Sequence, residues 1–245
     1  MSKLFIRDDP KSIAAEAFRT LRTNMQFLSA EKDITKIMIT SAIPEEGKTT
    51  ILCNLAIAMA HSGKNILIID CDLRRPSVHK MFDLSNDKGI VDIFMGEIKT
   101  EEVIFKPYEK VSVITAGSKI MYPSEFLNAN YVRNFIKKQS DVYDYIFIDT
   151  PPIVNFTDAQ IVSTIADAVI LVVSEKQSEK NLCKKAVELL KFVHANILGV
   201  VLNKYEYRSE NLYGKKYNRY IQEDNKKKRL RRDKKKKNKD VEIMA

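Results

Sequence analysis

The sequence is poor in the features that mark secreted and membrane-spanning proteins. It has an odd number of cysteines and no CxxC pair; the three are Cys53, Cys71 and Cys183. Scattered cysteines of this kind indicate a reducing compartment rather than a disulfide framework. The first residues, MSKLFIRDDPKS, lack the apolar core of a signal peptide, and no apolar run approaches the roughly 18 residues needed to cross a bilayer. We therefore expect a cytoplasmic protein without a membrane anchor of its own.

Net charge is absent from most of the chain. Residues 204–245 carry 16 Lys and Arg against 7 Asp and Glu, so the whole formal charge of +9 lies there. A neutral body argues against a domain that grips nucleic acid over its own face, and we expect no specific nucleic-acid partner. The run KKKRLRRDKKKKNK is either a solvated disordered segment or an arm for an anionic partner such as a membrane surface. This shift predicts a domain over 1–203 and a flexible tail, basic and rich in tyrosine, over 204–245.

Short β-branched runs alternate with helical stretches, which predicts an α/β fold. The expected strands are KIMITS, NILIIDCD, KVSVITAG, YDYIFIDT, DAVILVVS and NILGVVLN, at 36–41, 65–72, 110–117, 143–150, 167–174 and 196–203. Because most of these runs are apolar on both faces, we predict a doubly wound, mostly parallel sheet with ligands at the carboxyl ends of its strands.

Helices are expected between the strands at 48–61, 124–139 and 178–194. A further helix is expected before the first strand, opening after Pro10 with Ser12 as its cap. Its apolar positions predict one buried face, formed by Ile13, Ala17, Leu21 and Met25.

The first expected strand runs directly into SAIPEEGKTT and then a helix, which is the context that a phosphate-binding loop requires. Gly47 lets the backbone approach closely, Lys48 can reach the β- and γ-phosphates, and Thr49 can bind Mg²⁺. Two positions depart from the general pattern: Ala42 stands at its first glycine, and Glu45 lies in a turn that often needs one. The nucleotide-binding residues predicted in the loop are Pro44, Glu45, Glu46, Gly47, Lys48, Thr49 and Thr50.

Polar side chains end three of the expected strands. Asp70 and Asp72 follow one strand, on the same side because they are two residues apart, and Asp149 follows another. A carboxylate at the carboxyl end of a strand beside the loop is where a magnesium nucleotide needs one, although aspartates here can also simply cap helices. Asn203 ends the last strand and either reads an adenine edge, as a further nucleotide-binding residue, or makes a plain turn.

The segments SAIPEEGKTT, ILIIDCDLRRPSVHKMF and YDYIFIDTPPI resemble the Walker A, A′ and B motifs of the bacterial tyrosine kinases. The resemblance is in particular to the cytoplasmic kinases of capsular and exopolysaccharide synthesis, and it runs in order along essentially the whole chain. It implies a P-loop fold related to the partitioning ATPases, with ATP and Mg²⁺, and autophosphorylation of a C-terminal tyrosine cluster. The corresponding phosphoacceptors in this chain are Tyr205, Tyr207, Tyr213, Tyr217 and Tyr220.

The same resemblance implies chemical roles for the motif residues. Lys48 and Mg²⁺ would neutralise the transferred phosphoryl group. The metal would be held, directly or through water, by Thr49, Asp70 and Asp149. Either Asp70 or Asp72 would accept the proton of the tyrosine, so the expected catalytic residues are Lys48, Asp70 and Asp72.

The segment EAFRTLR matches the E-x2-R-x2-R motif of the family, which links subunits into a ring. Glu16, Arg19 and Arg22 recur every three residues, so they share one helix face and can present charge to a neighbour. Without the resemblance, the pattern would indicate an exposed salt-bridge ladder within one chain.

The resemblance also implies partners at the inner face of the cell membrane. We expect a ring of identical subunits, protein tyrosine substrates, and activation by a separate transmembrane regulator of polysaccharide chain length. Two alternatives stay open. One is a partitioning-type ATPase that binds DNA or membrane through its basic tail, although Ile43 stands where such proteins have a signature lysine. The other is a scaffold that binds nucleotide without catalysis, a reading that Glu45 allows.

Overall fold

The computed structural model describes residues 3–30, 33–96 and 98–205, and the chain divides after Lys204. The helices are α1 (Phe5–Asp8), α2 (Ile13–Ala30), α3 (Lys48–Ala60), α4 (Val78–Phe82), α5 (Ile90–Phe94), α6 (Pro123–Asn128), α7 (Asn130–Gln139), α8 (Asp158–Ser163) and α9 (Lys180–Phe192). The strands are β1 (Lys36–Ser41), β2 (Ile66–Asp70), β3 (Ile104–Tyr108), β4 (Val111–Ile114), β5 (Tyr145–Asp149), β6 (Ala168–Ser174) and β7 (Ile197–Asn203). A short 3₁₀ turn, Thr100–Val103, precedes β3.

The seven strands form one sheet in the order β3-β4-β2-β5-β1-β6-β7. Every neighbouring pair is parallel except β3 and β4, which pair antiparallel. The six expected strands and the mostly parallel, doubly wound sheet are thus confirmed. The sequence did not predict β3, whose segment IFKPY is half-exposed and contains Pro107. A proline cannot donate to a sheet ladder and is tolerated here because β3 is an edge strand.

Helices cover both faces of the sheet and bury two hydrophobic clusters. Helix α3 is buried along almost its whole length, because the sheet lies on one side of it and α2 on the other. A central residue of the cluster on that face is Phe147 of β5, which is fully buried. The loop between β1 and α3 therefore leads into a helix that is buried along almost its whole length.

Two predictions about helices need correction. The helix expected at 124–139 is divided into α6 and α7 at Ala129, whose backbone is extended. The buried face of α2 is formed by Ala15, Phe18 and Met25, while Ile13 is 39% exposed. The face shifts because Phe18 packs against Phe5 of α1, a contact that the period of α2 alone does not encode. Ser12 caps α2 as expected, accepting a hydrogen bond from the Ala15 N–H at 3.1 Å.

No helix within the described ranges is both long enough and apolar enough to cross a bilayer.

Candidate active site

The loop between β1 and α3 turns sharply at two residues in the left-handed region of backbone space. Glu45 has φ 65° and Gly47 has φ 92°. A Cβ atom on Gly47 would lie 2.1 Å from the Asn203 Nδ2, so glycine is required there for space as well as for conformation. Glu45 is strained in this conformation, because at positive φ the Cβ atom of a non-glycine residue lies too close to the backbone.

The side chain of Glu46 points into the protein. It is fully buried, and its carboxylate accepts hydrogen bonds from the Ile43 N–H at 2.9 Å, the Ser174 N–H at 3.4 Å and the Ser178 hydroxyl. These contacts fix the loop to the end of β6 and to the turn before α9. Any contact of Glu46 with a nucleotide would therefore come from its backbone, a distinction that the sequence motif does not make.

Asn203 lies against the loop from the end of β7. Its Nδ2 donates to the Glu46 carbonyl oxygen at 2.8 Å. Sequence reasoning offered an adenine contact or a plain turn, and did not foresee that the amide would brace the loop. The strand order explains the contact, because β7 ends two strands away from β1 at the same edge of the sheet.

Three carboxylates meet beside the loop at the carboxyl edge of the sheet. Asp70 and Asp149 are paired directly across β2 and β5, and both are fully buried. Asp72 follows β2 and forms an ion pair with Lys48, its Oδ2 lying 2.9 Å from the Lys48 Nζ. The Thr49 hydroxyl donates to the Asp149 Oδ2 at 2.6 Å. The structure thus brings together the residues for which catalytic and metal-binding roles were predicted.

Asp70 organises the segment that follows β2. Its Oδ2 accepts the N–H groups of Ser77 and Val78, each at 3.0 Å, and its Oδ1 accepts the Asp72 N–H at 3.1 Å. The Ser77 hydroxyl lies 2.7 Å from that of Thr49. Residues 71–78 therefore fold around the Asp70 carboxylate, next to the start of α3.

The buried charged groups of the site change one another's pKa values. Burial and the charge of Asp149 raise the pKa of Asp70 from its ordinary 3.8 to about 8. Burial also raises the pKa of Asp149, to about 6, against the opposing effect of the Lys48 ammonium. Burial alone would lower the pKa of Lys48, but the carboxylates of Asp149 and Asp72 outweigh it and raise that pKa. The cluster favours a retained proton and a charged lysine.

The donor set fits a hydrated magnesium ion. The Asp149 Oδ1 is buried without a hydrogen-bond partner among the described residues, so it has a lone pair to offer a metal or its water. Thr49 and Asp149 supply hard oxygen atoms, which Mg²⁺ prefers. Over the described ranges, no group of three or more His, Cys, Asp or Glu side chains is arranged to hold a metal directly. Mg²⁺ in nucleotide sites needs only one or two protein carboxylates, because it keeps several waters and takes other ligands from phosphates.

An ion pair that the sequence did not indicate holds the segment after β2 in place. The Arg74 guanidinium donates to both oxygens of Asp158 at the start of α8, at 2.7 and 3.0 Å, and lies over the Phe156 ring. Asp158 is fully buried and also accepts the Ser124 hydroxyl at 2.6 Å. Arg74 is two residues from Asp72, so this bidentate contact helps to hold the acidic segment in place.

The expected ring residues lie away from this site, on α2. Within the chain, Glu16 pairs with Arg19 at 2.7 Å, and the Arg22 Nη1 donates to the Ala58 carbonyl oxygen at 3.4 Å. The Arg22 Nε is buried without a hydrogen-bond partner in the part of the chain that the structure describes. Of the tyrosine cluster, only Tyr205 is described; Tyr207, Tyr213, Tyr217 and Tyr220 lie outside the described residues.

Comparison with known proteins identifies the family. A family model described as an AAA domain matches residues 20–200. The tyrosine-protein kinase YwqD of Bacillus subtilis is 37% identical over 207 residues, which span 84% of this chain and 87% of that protein. The chain belongs to the bacterial tyrosine kinases.

Solved structures agree with this membership. The kinase domain of the Escherichia coli tyrosine kinase ETK matches with a TM-score of 0.81 and 32% identity, over 86% of this chain and 83% of that one. The chimerical protein CapA2B2 matches with a TM-score of 0.80 and 35% identity, over 84% and 91%. The septum site-determining protein MinD of Pyrococcus horikoshii, complexed with Mg-ADP, matches with a TM-score of 0.60 and 25% identity, over 71% and 72%. This bacterial tyrosine kinase therefore has the predicted P-loop fold, and its relatives support nucleotide binding and a kinase function.

The raised pKa of Asp70 predicts that the nucleotide-free protein loses stability as the pH rises. The unfolded chain releases this proton near pH 4, whereas the folded protein keeps it until about pH 8, so folding becomes less favourable across that interval. Asp149 adds to the loss up to about pH 6. In Asp70→Asn the fall in unfolding free energy between pH 6 and 8 should be smaller than in the wild type. Urea denaturation in EDTA measures both slopes, and parallel slopes would contradict the prediction.

The positive φ of Glu45 predicts that Glu45→Gly stabilises the loop. Relief of the Cβ strain is worth about 1 kcal/mol, which corresponds to about fivefold tighter ADP binding if the strained loop is the binding-competent one. Glu45→Ala is the matched control, because alanine removes the carboxylate but keeps the Cβ atom. Calorimetric titration with ADP compares the three proteins. Equal affinity of the glycine and wild-type proteins would show that the loop holds glutamate without cost.

Proposed function

We propose that this chain is an ATP-dependent protein-tyrosine kinase that phosphorylates its own C-terminal tyrosine cluster, between subunits of a ring. The observation that carries the proposal is the constellation of Lys48, Thr49, Asp72 and Asp149 around a phosphate loop. It occurs in a chain that is 37% identical to a tyrosine-protein kinase over most of both lengths. Polysaccharide synthesis and export is the process we expect it to regulate.

In the proposed reaction the phenolic oxygen of a tyrosine attacks the γ-phosphorus of ATP. A bond forms between that oxygen and phosphorus, the bond from phosphorus to the β–γ bridging oxygen breaks, and ADP leaves. Lys48 is placed to serve this step, because its ammonium is held at the mouth of the loop by Asp72 and can turn to the phosphates. Bound Mg²⁺ would neutralise charge on the phosphate oxygens. Thr49 and Asp149 are the residues we expect to hold it, with Asp70 acting through water.

Asp72 is the better candidate for the base that receives the tyrosine proton. Both oxygens of Asp70 accept backbone N–H groups, and burial raises its pKa to about 8, so it holds a proton near neutral pH. Asp72 instead faces Lys48, the residue that meets the transferred group. A carboxylate oxygen at that position can accept the proton as the new bond forms.

We expect transfer between subunits, because a tail attached beyond the last strand can reach a neighbour's site better than its own. The tyrosine cluster begins with Tyr205, two residues after the end of β7, and we expect it to be presented to a neighbouring site in a ring. Arg22 favours a neighbour on α2, because its buried Nε lacks a hydrogen-bond partner within the described part of the chain. Each phosphate added would place about −1.5 to −2 charges on the tail.

We also propose activation by a transmembrane regulator of chain length, supplied as a separate protein. This chain spans 87% of YwqD but only 27% of the Escherichia coli tyrosine-protein kinase Etk, which is therefore a much longer polypeptide. A cytoplasmic segment of the regulator would dock near the nucleotide and order the loop. The basic tail would add attraction to the anionic inner leaflet, and we therefore expect the protein at the inner face of the membrane. Other tyrosine-containing proteins are the expected further substrates.

The alternative is a partitioning-type ATPase that uses the tail to bind DNA or membrane. The likeness to MinD favours it, because the fold is shared and MinD is complexed with Mg-ADP. Labelled ATP separates the two functions: a kinase transfers the label to tyrosine, whereas an ATPase releases it only as free phosphate.

Lys48→Met should reduce tyrosine autophosphorylation by at least about a hundredfold, because it removes the charge that faces the β- and γ-phosphates. The variant should fold with reduced stability, since Asp72 loses its only ion-pair partner among the described residues. Lys185→Met, at an exposed position of α9, is the control. Phosphotyrosine detection after incubation with ATP gives the rate. Undiminished phosphotyrosine in Lys48→Met would refute the proposed kinase site.

Replacing Glu16, Arg19 and Arg22 together by Ala should yield monomers that phosphorylate themselves poorly, because the acceptor must come from a neighbour. The matched control replaces Glu188, Lys184 and Lys185 on α9, which also removes one acid and two bases from a helix surface. Light scattering gives the mass of each protein, and the autophosphorylation rate is measured on the same samples. An unchanged assembly in the α2 variant would count against the ring.

A further inference from the structure

The end of β7 contacts the phosphate loop at two successive carbonyl groups. The Asn203 Nδ2 donates to the Glu46 carbonyl oxygen at 2.8 Å, and the Lys204 Nζ donates to the Glu45 carbonyl oxygen at 2.7 Å. The Lys204 ammonium also donates to the Gln177 Oε1 at 2.8 Å, so a second contact holds it in position. Asn203 and Lys204, which are adjacent in the chain, thus hold two adjacent peptide groups of the loop by hydrogen bonds.

Because the peptide bond is planar, these two hydrogen bonds also determine the direction in which the N–H groups of the loop point. In a trans peptide, the carbonyl oxygen of one residue and the N–H of the next point in opposite directions. Fixing the Glu45 and Glu46 carbonyls therefore directs the Glu46 and Gly47 N–H groups away from β7. Neither N–H is donated to any acceptor among the described residues. Successive backbone N–H groups turned to one side form the kind of concavity that binds phosphate.

Glu45 is the weak point of this arrangement. Its φ of 65° is a conformation that an unrestrained chain with a Cβ atom avoids. The Lys204 contact is made to the carbonyl of this same residue, so it stabilises the strained conformation directly.

We propose that Lys204 is a positioning residue of the nucleotide site, which holds the Glu45 peptide so that the Glu46 N–H faces a nucleotide diphosphate. The ligand chemistry is that of the β-phosphate, and the inference rests on the nucleotide binding within the proposed function. Because Lys204 acts by compensating for Glu45, its importance should depend on which residue occupies position 45. A glycine there adopts positive φ without help and removes the need for the lysine.

A double-mutant cycle tests this dependence in the full-length chain. ADP with Mg²⁺ is titrated calorimetrically into the wild type, Lys204→Ala, Glu45→Gly and the double variant. Loss of one charged hydrogen bond predicts about tenfold weaker binding for Lys204→Ala. In the Glu45→Gly background the same substitution should weaken binding by less than about twofold.

Two further variants separate positioning from general stability. Lys204→Arg keeps a charged donor and should restore most of the affinity, whereas Lys185→Ala, at an exposed position of α9, should bind ADP within about twofold of the wild type. The nucleotide-free thermal midpoint should be nearly the same for Lys204→Ala and the wild type, because the contact lies at an exposed residue.

Two results would overturn the inference: unchanged ADP affinity in Lys204→Ala, or an equal loss with Glu and with Gly at position 45. The titration needs no acceptor tyrosine. A wild-type protein that binds ADP but never phosphorylates tyrosine would contradict the proposed kinase and leave the loop result valid. A wild-type protein that binds no ADP would contradict both.

Discussion

The burial of like charges at one edge of the sheet is the constraint on which the site depends. Parallel pairing of β2 and β5 places Asp70 directly opposite Asp149, and neither carboxylate is exposed. Two such groups are tolerated only if protons, N–H donors or cations offset their charge. This protein uses all three: a retained proton, the N–H groups of the segment after β2, and the Lys48 ammonium. A cation bound beside these carboxylates would therefore compete with the retained proton.

The phosphate loop is strained, but several surrounding contacts stabilise its conformation. The loop carries a non-glycine residue at positive φ, and the surrounding elements hold it through the buried Glu46 carboxylate and the Asn203 amide. In the segment that follows β2, Arg74 forms a hydrogen-bonded ion pair with Asp158. Strain that is enforced from several sides at once is typical of sites that are arranged before the ligand arrives.

Much of the fold and the outline of the site could be predicted from sequence because the relevant signals are local. Six strands are continuous apolar runs, and Gly47, Lys48 and Thr49 lie within one short loop. Where prediction was incomplete, the cause was non-local. The pattern of α2 does not reveal that Phe5 packs on Phe18, and the polar character of Glu46 does not reveal that its side chain is buried. Contacts from β7 to the loop depend on the strand order, which no single segment encodes.

The position of Lys204 has a practical consequence for the preparation of a protein without the proposed acceptor tyrosines. The tyrosine cluster begins at the very next residue, so a truncation after Asn203 removes the tyrosines and the loop contact together. Loss of activity in such a protein would have two indistinguishable causes. Tyrosine-to-phenylalanine substitution, or truncation after Lys204, removes the proposed acceptors while the hydrogen bond to Glu45 is kept.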